Sequence, residues 1–185
     1  MSEVHLVPIC LPSQPSLIEH VSAHISRAFA ARVSVHPHRF DPEVAFDSSR
    51  GQYNSTEILA QLLEETAGSD AHVLGLAGVD LFVPILTYVF GEAQLAGRAA
   101  VISSYRLDNS LYGLPANPRL LFDRLAKEAV HELGHNRGLV HCHRAMCVMR
   151  SSTYVEDIDL KSAHFCTFCG QRVRALVAGE HCGPG

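Results

Sequence analysis

The sequence predicts an α/β protein with a twisted, mostly parallel sheet and helices packed on it. Three observations carry that expectation. Short apolar runs alternate with amphipathic stretches through the first half of the chain. A long helical pattern with its own start and stop signals follows, from Asn117 to Gly138. The 185 residues suffice for one domain with a real core and fall short of two ordinary ones.

The elements follow in order. His5 to Leu11 is short, apolar and rich enough in Val and Ile for a buried strand. Ser16 to Ala31 places Leu17, Ile18, Val21, Ile25 and Phe29 on one helical side. Arg32 to His36 alternates, with Val33 and Val35 on one face, and reads as a second strand. Asn54 caps the next helix, and Glu57 three residues later completes a capping box. Ile58, Leu59, Leu62 and Leu63 supply the stripe of that helix. Ala71 to Leu81 is a further apolar strand. Leu86 to Phe90 and Ala99 to Ser104 read as two more, around a turn at Gly91 to Gly97. Asn117-Pro118 is an N-cap followed by Pro at the first helical position, and Leu121, Leu125, Ala129 and Val130 continue that helix. Beyond Gly138 the chain is irregular through Met149. Tyr154 to Lys161 forms a short turn or helix, and a last helix starts at Cys169, with Val173, Leu176 and Val177 apolar.

Composition narrows the function. Hydrophobic residues make up 47% and charged residues 18%, a globular balance. The formal net charge is −4, and no block of Lys or Arg offers the basic face that phosphate neutralisation requires, so nucleic acid is not an expected partner. No apolar run approaches the length that spans a bilayer. Met1 to Leu11 lacks a basic leader and is too short in its apolar stretch for a signal peptide, so a cytoplasmic location is expected. There the six cysteines are expected as thiols or metal ligands rather than disulfides. Cys10 is expected as a buried strand thiol, and Cys182, beside His181, as a solvated residue of the tail.

The long helix carries His131-Glu132-Leu133-Gly134-His135. Positions i and i+4 lie one turn apart on the same face, so the two imidazoles project side by side at a separation one zinc ion bridges. Glu132 sits beside them as a general base that does not ligate. Alone, such a pentapeptide also occurs in helices whose histidines are merely solvated or packed. Gly138 lets the chain leave the helix in a left-handed conformation, and His141, three residues on, swings back as a third ligand. Three histidines and an open fourth position describe a catalytic rather than a structural zinc. Met149 follows as either a plain core residue or, in the metzincin pattern, a methionine packed beneath the metal without binding it, two readings that are compatible. His143 competes with His141 as a third ligand, but the spacing favours His141 and places His143 at the surface; His164 and His181, isolated in the chain, are not expected to ligate. Tyr154 is either a hydrogen-bond donor to the reacting group or a plain surface aromatic.

Four thiols crowd the C-terminal stretch: Cys142, Cys147, Cys166 and Cys169, the last two as Cys166-Thr167-Phe168-Cys169-Gly170. Four thiolates in tetrahedral array make a closed structural zinc site, and unlinked core thiols or two disulfides are the other readings. In an extended segment neighbouring side chains point to opposite sides, so His141 and Cys142 would serve different metals across one backbone.

Together, His131-Glu132-x-x-His135-x-x-Gly138-x-x-His141-Cys142, Cys147-x-Met149, Cys166-x-x-Cys169 and Gln52-Tyr53-Asn54-Ser55 resemble the archaemetzincins, a family of metzincin metallopeptidases. The resemblance implies a compact metzincin-like fold with one antiparallel edge strand and a cleft across the molecule. It divides residues 1–185, a single catalytic domain, into an upper part, 1–138, ending in the active-site helix. The lower part, 139–185, holds the methionine turn and the four-cysteine zinc. It implies two zinc ions, one catalytic and one structural, peptide or protein as the partner, and hydrolysis by an attacking water with Glu132 as base. The substrate strand is assigned by resemblance to Leu86, Thr87, Tyr88, Val89 and Phe90. A monomer is expected. The competing readings are a catalytically silent or latent zinc-stabilised peptide-binding module, and an adaptor built on the cysteine knuckle.

Overall fold

Apolar residues of the first half fall on alternating faces of short strands, and both faces are covered. The computed structural model describes residues 2–177. Its main sheet contains β1 (Glu3–Ile9), β2 (Arg32–Val35), β5 (His72–Ala77), β7 (Gly91–Ala93) and β8 (Ala99–Ser103), in the order β2-β1-β5-β8-β7. The first four in that order pair in parallel; only β7, at the edge, is antiparallel to its neighbour. Val4, Leu6, Leu74, Leu76, Ala100 and Ile102 point to one face, beneath helices α1 (Pro15–Phe29) and α3 (Pro118–Asn136). Val7, Ile9, Val73, Ala77, Ala99 and Val101 point to the other, beneath α2 (Ser55–Glu65). The period of two therefore decides which helix each strand residue meets.

A second sheet, of three very short strands, was not predicted: β3 (Phe46–Asp47), β4 (Gln52–Asn54) and β6 (Leu81–Phe82) in the order β3-β4-β6. The predicted run from Ala71 to Leu81 is accordingly two strands, β5 and β6, in different sheets. Three 3₁₀ turns, at Pro42–Ala45, Tyr105–Leu107 and Asn109–Tyr112, link the layers. Beyond α3 come α4 (Val155–Leu160) and α5 (Thr167–Val177), the latter starting two residues before its predicted position.

Three expectations need correction. Leu86, Thr87, Tyr88, Val89 and Phe90 do not form a strand; the edge strand is β7, inside the predicted turn. The reason is visible in the backbone acceptors. Arg50 donates to the carbonyls of Leu86 and Thr87 at 2.8 and 3.1 Å, and Gln52 donates to Thr87 at 3.0 Å. Side chains thus occupy the groups a ladder would use, and only Val89 makes an isolated bridge, to Leu81. Cys10 is not a buried strand thiol: β1 ends at Ile9 and Cys10 is exposed in a left-handed turn with φ of 48°. The start of α2 is capped by Asn54 alone, which accepts from Thr56 N at 3.0 Å, rather than by a capping box with Glu57. Among the described residues no helix is long and apolar enough to cross a membrane. Cys182 and His181 lie outside the described residues.

Candidate metal centres

Helix α3 begins where the Asn117 side chain accepts from Leu120 N, and it ends at Gly138, with φ of 80°. Leu139 N donates to Gly134 O and Gly138 N to His135 O, the paired closure of a Schellman turn. Asn136 holds the neighbouring hairpin onto this last turn, donating to the carbonyls of Gln94 and Ala99 at 3.0 and 2.8 Å.

The turn aims the chain back across the helix, and the structure brings His131, His135 and His141 together. One ligand nitrogen from each lies within 4.8 Å of the others. Their ring centroids are 4.7 to 5.3 Å apart. His131 Nδ1 donates to Val148 O at 2.8 Å and His135 Nδ1 to Leu139 O at 2.7 Å. Those bonds fix the tautomers and leave only lone pairs on the two Nε2 atoms, which face one another at 3.1 Å. Two acceptors at that distance repel unless a cation lies between them. Burial pulls all three imidazoles below the ordinary histidine range, the unprotonated form that ligates, and moves His131 furthest. The donor set thus fits a divalent ion.

Glu132 lies beside this cluster and is buried. Burial pushes its carboxyl well above the ordinary range; the nearby Glu128 and Glu92 carboxylates add to this, and Lys161 opposes it. A Cβ on Gly91 would stand 2.9 Å from Glu132 Oε1, so glycine at the start of β7 makes the room that carboxylate occupies. Met149 is fully buried, and its sulfur packs onto Gly134, between the two helical histidines.

Cys142, Cys147, Cys166 and Cys169 form the second cluster, with sulfurs within 4.8 Å of one another. Cys142 and Cys166 sulfurs are 3.9 Å apart, and the Cys166 backbone N–H donates to the Cys147 sulfur at 3.4 Å. Burial raises the Cys166 thiol, but the Cys169 backbone and the surrounding sulfurs outweigh it and bring it down to about 7. Burial pushes the Cys147 and Cys169 thiols the other way, up, so the ligand character of the set rests on its four converging sulfurs. His141 and Cys142 do face different clusters, and Cys142 N donates to Met149 O at 2.9 Å, which pins the crossing. His143, His164 and Tyr154 are exposed.

A cavity of about 530 Å³ opens against the three-histidine cluster. Leu86 to Gly91 form one wall and Ser151 to Tyr154 the other, with Glu128, His131, Glu132 and His141 at the base. The segment predicted as a substrate strand therefore lines the cleft without being a strand.

The model of peptidase family M54 matches residues 25–175. The archaemetzincin of Methanocaldococcus jannaschii is 44% identical over 135 residues, 72% of each chain. The chain belongs to peptidase family M54, the archaemetzincins. Its enzyme class is accordingly that of a zinc-dependent metallopeptidase. Two solved structures agree with the fold. The crystal structure of archaemetzincin from Methanopyrus kandleri superposes with a TM-score of 0.85 at 34% identity, covering 96% of both chains. A zinc-dependent peptidase from Methanocorpusculum labreanum gives 0.82 at 29% identity, covering 92% of this chain and 99% of that one.

Sequence reasoning missed several residues of this archaemetzincin site. Asn136, Glu128, Lys161 and Gly91 act through partners distant in the chain. Gly134 carried a local signal, a helix-interior glycine inside the histidine motif, which marks a close approach.

Proposed function

We propose that the chain hydrolyses peptide bonds in peptide or protein substrates at the three-histidine site, with Glu132 as general base. The observation that carries this is the pair of Nε2 lone pairs converging at 3.1 Å beside a buried carboxyl. His131, His135 and His141 would hold the catalytic zinc, and the four cysteines a second, structural one. When bound, zinc polarises the scissile carbonyl and makes water acidic near neutrality. Glu132 takes the proton of the attacking water and delivers it to the leaving nitrogen. Its raised proton affinity matches this double role, since it must both accept and release. The outer edge of β7 offers unpaired backbone groups to an extended peptide by β-addition. Leu86 to Phe90 then form the side wall of the cleft rather than the pairing strand.

The test is digestion of a peptide library by the zinc-loaded enzyme. Wild type cleaves; Glu132→Gln retains about two zinc ions per chain, one per donor set, and does not cleave. Cleavage that survives the substitution removes Glu132 from the mechanism. A latent peptide-binding module has one observation in its favour: the Tyr88 hydroxyl donates to Thr153 O at 2.9 Å, tying the two cleft walls together. Cleavage by Tyr88→Phe where wild type is silent would select that reading.

A further inference from the structure

The cavity beside the histidines has an asymmetric charge. Among the described residues no Lys or Arg lines it, and apart from Glu132 the one carboxylate in its lining is Glu128. Glu128 stands one helical turn before Glu132, on the same face of α3, and is 3% exposed. Lys161, 2% exposed, lies behind it, with Nζ 2.9 Å from Glu128 Oε1 and donating to Arg150 O at 3.2 Å. A carboxylate has two oxygens and about four lone-pair positions, and Lys161 takes one side only. The approach to Glu128 has one mainly apolar wall, Leu86, Val89, Phe90 and the ring of Tyr88, and a facing wall that carries the hydroxyls of Ser151, Ser152 and Thr153. A cleft with one apolar wall and a carboxylate at its base suits a long stem with a cationic head, because the stem packs on the apolar wall and the head finds a charged acceptor. An acidic side chain would meet the Glu128 carboxylate directly, with the Lys161 cation only on its far side, and a purely apolar one would leave the second oxygen without a partner.

The direction of the peptide follows from the sheet edge. β7 runs from Gly91 to Ala93, and the cavity lies at its Gly91 end, while Ala93 and Leu95 flank the other side of the histidines. A peptide added antiparallel to β7 enters the cavity with the residue that follows the scissile bond.

Building on the hydrolytic reading above, we propose that Glu128 is a specificity-determining residue that selects peptides with Lys or Arg immediately C-terminal to the cleaved bond. Lys161 holds its carboxylate in place from behind, so the selection rests on a side chain fixed before the substrate arrives.

The experiment separates binding from turnover. Peptidyl hydroxamates whose first side chain beyond the zinc-binding group is that of arginine, leucine or glutamate are titrated calorimetrically into the zinc-loaded enzyme. The arginine compound is expected to bind about tenfold or more tighter than the leucine one, with glutamate the weakest, as for one charge-assisted hydrogen bond. In Glu128→Gln, and in Glu128→Gln with Lys161→Met so that no buried charge is stranded, the arginine advantage over leucine falls to within about twofold. Equal or tighter binding of the leucine compound by wild type overturns the proposal, as does an arginine advantage that survives in either variant. Failure of all three hydroxamates to bind removes the catalytic metal centre itself, and this inference with it.

Discussion

Replacing Gly134 by Ala sets two effects of opposite sign against each other. Gly134 lies inside α3 between the two helical histidines. In a helix interior Ala is favoured over Gly by about 1 kcal/mol. Helix propensity alone would then raise the melting temperature by roughly 2–4 °C for a chain of this length. The structure predicts the reverse. The new Cβ would fall well inside the contact distance of Met149 Sδ and 3.1 Å from its Cε. Met149 is fully buried, so its sulfur has no free space to enter. Overpacking of this kind costs about 3 kcal/mol at the upper end of its range. Net destabilisation is then about 2 kcal/mol, a fall in melting temperature of about 4–8 °C. The disturbance also reaches the ligand segment, because Met149 O accepts from Cys142 N. Thermal unfolding followed by circular dichroism at fixed zinc, with metal analysis after dialysis, measures both effects. Shortening Met149 to Val in the same background should recover part of the loss. A rise in melting temperature for Gly134→Ala would refute the packing of Met149 against the histidine helix.

Other perturbations follow from the same geometry. If the four cysteines hold the proposed second zinc, Cys166→Ser is expected to lose it and to weaken metal binding at the histidines about tenfold or more, since Cys142 adjoins His141. Zinc per chain and activity after dialysis check this, and full activity with one zinc lost would break the coupling. His72 is held down to about 4, by burial first and then by Arg137 and Arg98. Its contribution is fully present above pH 6.5 and is lost as pH falls towards 4, because the unfolded chain takes up a proton that the folded one refuses. After discounting for its partial exposure the loss is about 1.5 kcal/mol. His72→Val should flatten the difference in unfolding free energy, from urea titrations at pH 7 and 4.5, by up to that amount; an unchanged slope would assign the acid sensitivity elsewhere. Arg124 is buried, bidentate to Asp159 at 2.8 and 2.7 Å, and donates to Leu107 O and Asn109 Oδ1. Arg124→Met strands those acceptors and should cost about 3–5 kcal/mol, read as a melting temperature at least 6 °C lower.

The parts of the fold that were legible in the sequence are those whose signal is local. The period of 3.6 and two end signals placed α3 to within a residue or two of its observed span. The strand and helix alternation gave the parallel sheet, because a buried strand must be apolar on both faces. The His131 to His141 spacing carried the ligand geometry because a helix face and one glycine turn suffice to build it. The second sheet was illegible for the converse reason: strands of two or three residues show no period. Val89 and Phe90 looked like strand residues because they are apolar. They are apolar because they wall a cleft, and their neighbours' carbonyls are held by Arg50 and Gln52, more than thirty residues earlier. The pairs Glu128 with Lys161 and Arg124 with Asp159 are likewise separated by about thirty residues, and nothing in either segment announces its partner.

Arg124, Lys127, Glu128 and His131 stand at positions i, i+3, i+4 and i+7 along a single face of α3. Each finds its partner beyond Gly138: Asp159, Ile158 O, Lys161 and Val148 O respectively. The helix is therefore a keel on which the rest of the chain is hung, and the bend at Gly138 is not a place where the molecule comes apart. A fragment stopping there would keep its sheet and lose the shell of its longest helix, leaving two cations, a carboxylate and an imidazole against vacant space. The lower part is better regarded as the outer skin of that helix than as an appendage, and engineering by truncation or domain exchange would have to carry both across together.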